Sequence, residues 1–115
     1  MIRVDENPED PQTVNELIEI LSIQLNEPVM KSTARLMIII SLALNKKLTF
    51  TDLLEITSLG KGSLSNHLDK LKEGGLINIK TVFSGMGPRV LIEITREGML
   101  AYENYSKILK KLLSH

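Results

Sequence analysis

The run Leu36-Met-Ile-Ile-Ile-Ser-Leu-Ala-Leu44 constrains this chain more than any other segment. Leu36, Ile39, Ile40 and Ala43 recur at helical spacing, and Met37, Ile38 and Leu44 fill most of the remaining circumference. A helix apolar nearly all round has to be covered on several sides, so it is expected at the centre of a domain. It reaches only about half of the roughly 20 residues needed to cross a bilayer. With 115 residues, 43% of them hydrophobic, the chain can close one domain around such a helix. It has no Cys, which excludes a disulfide framework, thiolate metal sites and cysteine nucleophiles together. The opening Met1-Ile-Arg-Val-Asp-Glu-Asn-Pro8 lacks the apolar stretch of a signal peptide, so a cytoplasmic protein is expected.

Around the central helix, expected from Ser32 to Asn45, the punctuation is regular. Asp10-Pro11 reads as an N-cap followed by proline at the first helical position. Val14, Leu17, Ile18, Leu21 and Leu25 then form one stripe, widened by Ile20 and Ile23, until Glu27-Pro28 stops the helix. Residues 46–50 can form a short extended stretch. Thr49-Phe-Thr-Asp52 has the capping-box pattern, predicting a short helix to Thr57. Ser58-Leu59-Gly60 is a tight turn, and Lys61 to Glu73 is a further helix closed by Gly74-Gly75. Ile77, Ile79 and Phe83 mark one strand and Val90, Ile92 and Ile94 a second, with Ser84-Gly-Met-Gly-Pro88 between them. Thr95 caps a last helix running to about Leu113, with Ala101, Tyr105, Ile108, Leu109 and Leu112 on its apolar face.

Two short helices joined by a glycine-containing turn, followed directly by a hairpin, are the layout of a winged helix-turn-helix. The expected fold is mainly α with a small β-hairpin, a winged helix-turn-helix with extra N- and C-terminal helices. Its parts are an acidic tail over 1–10 and one domain over 11–115. Within that domain the helix-turn-helix spans 49–74 and the wing 76–94, and helices 11–26 and 96–113 flank them. From Ser32 to Tyr102 the chain resembles the MarR/ArsR-type transcriptional regulators, especially the small prokaryotic and archaeal ones. The resemblance is carried by Leu48-Thr-Phe-Thr-Asp-Leu-Leu54, Lys61-Gly-Ser-Leu-Ser-Asn-His-Leu-Asp-Lys-Leu71 and Glu73-Gly-Gly-Leu-Ile77. Gly87-Pro-Arg89 and Ile94-Thr-Arg-Glu-Gly98 complete it. The resemblance implies a homodimer formed through the flanking helices.

On the Lys61–Glu73 helix, Leu68 and Leu71 fall within about 40° of Leu64, and the three define the buried edge. Ser63 and Asn66 lie on the open arc and can reach base edges, Asn pairing with adenine in bidentate fashion. Lys61, Ser65 and Lys70 suit phosphates, and Gly62 lets backbone N–H groups approach one. Taken singly, Ser65, Asp69 and Glu73 read better as ordinary solvated residues of a surface helix. His67 sits at the edge of the buried arc and matches a frequent histidine of the family motif, so it joins the candidate contacts. In the wing the candidates are Lys80 and Arg89; the tip carries Met86 and Gly87 where relatives often have basic residues.

The chain carries 14 basic and 14 acidic residues, a balance that by itself argues against nucleic acid. The balance is uneven along the chain. Residues 1–27 hold one basic residue against seven acids, and residues 28–115 hold 13 against seven. Such asymmetry fits contact with a polyanion. The expectation is a sequence-specific regulator of transcription that binds double-stranded DNA as a homodimer. Its recognition helices would lie about 34 Å apart on a palindromic operator. A small effector can be accommodated between the dimer helices and the winged domain, although no residue identifies one. An enzyme is not expected: there is no usable His pair, no phosphate loop and no carboxylate pair beside a base. No cofactor or metal is expected either. The four aromatics, Phe50, Phe83, Tyr102 and Tyr105, all read as core, which disfavours RNA. The competing reading is a winged helix used for protein–protein contact.

Overall fold

The computed structural model describes residues 13–114. Their order is α1 (Val14–Leu25), α2 (Thr33–Asn45), β1 (Lys47–Thr49), α3 (Phe50–Thr57), α4 (Lys61–Glu73), β2 (Ile77–Ser84), β3 (Gly87–Ile94) and α5 (Arg96–Leu113). The expected acidic tail and the Asp10-Pro11 helix start lie outside the described residues. The cap of α1 is Thr13, which is extended and accepts from Glu16 N–H, so the helix begins later than expected.

α2 is the central helix. Ile38, Ile39 and Leu42 are fully buried, joined in the core by Leu53 of α3, Leu64, Leu68 and Leu71 of α4, Ile77 of β2 and Ile92 of β3. The covering is less complete than the sequence implies, because Met37 and Leu44 leave an exposed strip. The extended stretch after α2 becomes a third strand, and the sheet order is β1-β3-β2, antiparallel throughout. The two-stranded hairpin is therefore the outer part of a three-stranded sheet.

The register separates the two faces. Ile77, Ile79, Thr81 and Phe83 lie opposite Ile94, Ile92, Val90 and Pro88 on the core side. Towards the tip that face runs beyond the core. Phe83 is 80% exposed, contrary to its reading as a core aromatic, because no helix extends far enough to cover it. α1 and α5 pack on each other through Leu17 and Ile108, each 1% exposed.

The junction of sheet and α5 is tight. Thr95 N–H donates to Leu76 O at 3.0 Å, and Thr95 Oγ1 donates to Gly75 O at 2.7 Å. Gly98 is buried one turn later, and a Cβ there would run into the Leu76 carbonyl oxygen.

Candidate nucleic-acid interface

The helix-turn-helix is built as its punctuation implies. Thr49 and Asp52 form a reciprocal capping box: Asp52 N–H donates to Thr49 Oγ1 at 3.1 Å, and Thr49 N–H donates to Asp52 Oδ2 at 3.0 Å. That backbone bond first, then the Thr49 hydroxyl and the more distant Arg89, holds the Asp52 carboxyl below its ordinary 3.8. Ser58 ends α3 in the left-handed conformation, and Gly60 opens α4.

Among the described helices α4 alone begins without a side-chain cap. Thr13, Ser32, Thr49 and Thr95 each accept a backbone N–H at the start of the other four, whereas Gly60 offers none. The first N–H groups of α4 are thus left for solvent or a ligand, and they carry the positive end of the helix dipole. Gly62 leaves open space around this end, with nothing within 4 Å of where a Cβ would stand.

Leu64, Leu68 and Leu71 anchor the helix on its inner side, as expected. Lys61, Gly62, Ser63, Ser65, Asn66 and Lys70 are all exposed. By helical geometry Gly62, Asn66, Asp69 and Glu73 run along the crest, with Lys61 and Ser65 on one flank and Ser63 and Lys70 on the other. The two acids occupy its C-terminal half, so the N-terminal half is the part suited to a polyanion.

His67 is placed differently from its neighbours. It is half-buried, and its Nδ1 lies 3.1 Å from Nη1 of Arg35, a residue that is only 8% exposed. A guanidinium has donors and no acceptor, so Nδ1 is the acceptor and the ring is neutral. Burial first, then the charges of Arg35 and Lys70, holds His67 below its ordinary 6.5. Arg35 was missed from the sequence, although it is the lone charge in an otherwise apolar helix.

The two wing candidates lie on the sheet face turned away from the core. Lys80 forms an ion pair with Glu93, which also holds the Glu93 carboxyl below its ordinary value. Arg89 is exposed opposite Val82. The inner face of the wing instead meets α4 in a cleft of about 290 Å³, lined by Phe50, Ser65, Leu68, Asp69, Ile79 and Val90. Among the described residues no group of three or more His, Cys, Asp or Glu is placed to hold a metal ion. No described helix is long and apolar enough to cross a membrane.

A helix-turn-helix with an open-ended second helix and a wing hydrogen-bonded behind it defines the winged helix class of DNA-binding domains. This chain belongs to that family: the winged helix DNA-binding domain matches it over residues 34–113. The family is a DNA-binding one and not a family of enzymes. Similar folds include a transcriptional regulator homologue from Pyrococcus horikoshii OT3, 27% identical with a TM-score of 0.73, over 84% of this chain and 95% of that one. NadR in complex with 4-hydroxyphenylacetate is 23% identical with a TM-score of 0.65, over 99% and 82% of the two chains. A Cys-to-Ser mutant of MarR from E. coli, complexed with operator DNA, is 19% identical with a TM-score of 0.62, over 88% and 74%. Comparison with curated protein sequences finds no match. The MarR-like winged helix expected from the sequence motifs is therefore the fold observed.

Proposed function

We propose that this chain is a homodimeric, sequence-specific regulator of transcription that reads double-stranded DNA through α4. The observation that carries the reading is the uncapped, glycine-flanked start of α4, with Ser63 and Asn66 exposed behind it. Lys61 and Lys70 flank that start and would hold phosphates, while Ser63 and Asn66 would face base edges. Arg89 is the wing residue best placed to add a backbone contact. Lys80 is tied to Glu93 and contributes less.

Dimerisation is supported by the apolar side chains that the terminal helices leave exposed. Val14, Ile18 and Ile23 of α1 are 41–66% exposed, and Leu100 and Leu113 of α5 are 49% and 78% exposed. Such surface on paired helices fits burial against a second copy. A cavity of about 240 Å³ between the two helices, lined in part by Gln24, Met30, Asn104 and Tyr105, would suit a small effector. Gln24 Oε1 is buried there with no hydrogen-bond partner among the described residues. NadR, a structural relative, binds 4-hydroxyphenylacetate.

The competing reading, a winged helix that binds protein, is favoured by the wing tip, where Phe83 and Met86 are 80% and 85% exposed. One experiment separates the two. Duplexes selected from a random pool at two salt concentrations should converge on a palindrome, and Lys61→Glu with Lys70→Glu should abolish the selection. Absence of duplex binding by the wild-type chain at low salt refutes the DNA reading. A monomer in size-exclusion chromatography refutes the dimer and the palindrome.

A further inference from the structure

We infer that Arg35 is a positioning residue for DNA recognition, fixing the recognition helix to the turn that joins α1 and α2. The inference rests on reading α4 as the DNA-contacting helix. Arg35 lies in the first turn of α2, where it buries a charge that nothing in the DNA-facing surface requires. Burying a guanidinium is unfavourable unless its donors are satisfied. Three of its five N–H donors are, each nitrogen making one bond, and by an unusual set. Nε donates to Val29 O at 2.6 Å, Nη2 donates to Pro28 O at 3.2 Å, and Nη1 donates to His67 Nδ1 at 3.1 Å. Among the described residues none of these partners is a carboxylate. The planar fork thus spans two successive carbonyls of the α1–α2 turn and one ring on α4.

A second contact makes the attachment directional. Val29 also packs on the end of α4, where a Cβ on Gly74 would stand 2.7 Å from Val29 Cγ2. His67 and Gly74 are seven residues apart, about 10 Å along the helix axis. Two points that far apart fix the direction of α4 as well as its position. The same turn closes the cavity between α1 and α5, since Glu27 and Met30 line it. A displacement of α1 is therefore carried to α4 through backbone that Arg35 grips at two carbonyls. The charged groups facing the imidazole are Arg35 from α2 and Lys70 from α4, and Glu73 lies along the same cleft beside Pro28, Val29 and Gly74. Protonation of His67 would remove the acceptor and set a cation against Arg35.

The test compares binding to a duplex selected from a random pool with binding to a random-sequence duplex of equal length. Misplacing α4 weakens base contacts more than phosphate contacts, so the ratio of the two affinities reports positioning. His67→Leu removes the acceptor and should lower that ratio about tenfold while leaving the salt slope unchanged. His67→Gln restores an acceptor oxygen and should return the ratio to within about threefold of wild type. It should also abolish the fall in ratio expected of the wild type as acid protonates the ring. Arg35→Met should behave as His67→Leu does. Amide exchange over residues 61–73 gives a readout without DNA, faster in His67→Leu and not in His67→Gln. An unchanged ratio in folded His67→Leu overturns the inference, as does unchanged exchange. A salt slope about two units shallower in His67→Gln also overturns it, because the ring of each subunit would then contact a phosphate directly. If the wild type binds neither duplex, the recognition reading itself falls, and the positioning role with it.

Discussion

Gly98 and Gly62 both lie inside helices, yet the same substitution should move stability in opposite directions at the two. Alanine in place of glycine in a helix ordinarily adds about 0.5–1 kcal/mol, because the unfolded chain loses freedom. At Gly62 nothing stands within 4 Å of the added Cβ, so Gly62→Ala should gain about 0.5 kcal/mol. At Gly98 the Cβ would meet the carbonyl oxygen of Leu76, which is backbone, and Ile94 Cγ1 at 2.7 Å. Ile94 can rotate away; the carbonyl cannot move without loosening its bond from Thr95 N–H.

Overpacking of this kind costs about 1–3 kcal/mol. Weakening the Thr95–Leu76 bond adds about 1 kcal/mol. Against the helical gain of about 1 kcal/mol the net for Gly98→Ala is a loss of about 2 kcal/mol. With a urea m-value of about 1.5 kcal/mol/M, the midpoint should fall by about 1.3 M. Midpoints must be compared at one protein concentration, since the stability of the proposed dimer would depend on it. A Gly98→Ala protein as stable as wild type would refute the close approach of α5 to the start of β2. With it would go the account of why glycine occupies that position.

Four further outcomes are expected. Thr49→Ala should cost about 1 kcal/mol by removing the α3 cap. The Asp52 carboxyl is held below 3.8 in the folded chain, so its stabilising contribution is present above that value and is lost as pH falls below it. Denaturation curves between pH 2.5 and 5 should show this loss in wild type and a flatter profile in Asp52→Asn. Phe83→Ala should change the calorimetric stability by less than about 0.5 kcal/mol, whereas a core phenylalanine would cost about 3–5 kcal/mol. In titrations of duplex binding against salt, Lys61→Ala should make the slope shallower by about two, one phosphate contact being lost from each subunit of the proposed dimer. Lys80→Ala should leave that slope unaltered, because the Lys80 ammonium is already paired with Glu93 on the far face of the sheet.

What could be read from the chain was local. Lys61 to Glu73 is bounded by Gly60 and Gly74-Gly75, and the helix has those limits. The capping box at Thr49 and Asp52 and the cap at Thr95 are equally short-range signals, and both are formed. The extended stretch after α2 was visible, but its partner was not. Leu48 pairs with Ile92, 44 positions away, and strand alternation carries no information about such a partner. Phe83 shows a related limit: its place in the alternation is right, but alternation does not say where the covering helix ends. The DNA-facing candidates of α4 share one exposed arc because a 3.6-residue period determines which side chains share a face. The roles of His67 and Lys80 depend on Arg35 and Glu93, which reach them from other elements.

These placements change what the neutral charge of the chain means for binding. The stretch from residue 28 onward owes its positive balance to 13 basic residues, yet Arg35 is spent inside the domain and Lys80 on Glu93. Lys61, Lys70 and Arg89 remain as exposed cations beside the proposed DNA face. If each neutralised one phosphate in both subunits of the proposed dimer, the salt slope would be about −5. That is a modest electrostatic contribution, and Asp69 and Glu73 on the crest of α4 oppose it. A protein with so few phosphate contacts has to draw more of its selectivity from the exact placement of Ser63 and Asn66. Their placement depends on the orientation of α4, which Arg35 and Gly74 tie to the α1–α2 turn. In the proposed complex the arginine withdrawn from the surface would thus lower non-specific affinity and steady the specific contacts at once.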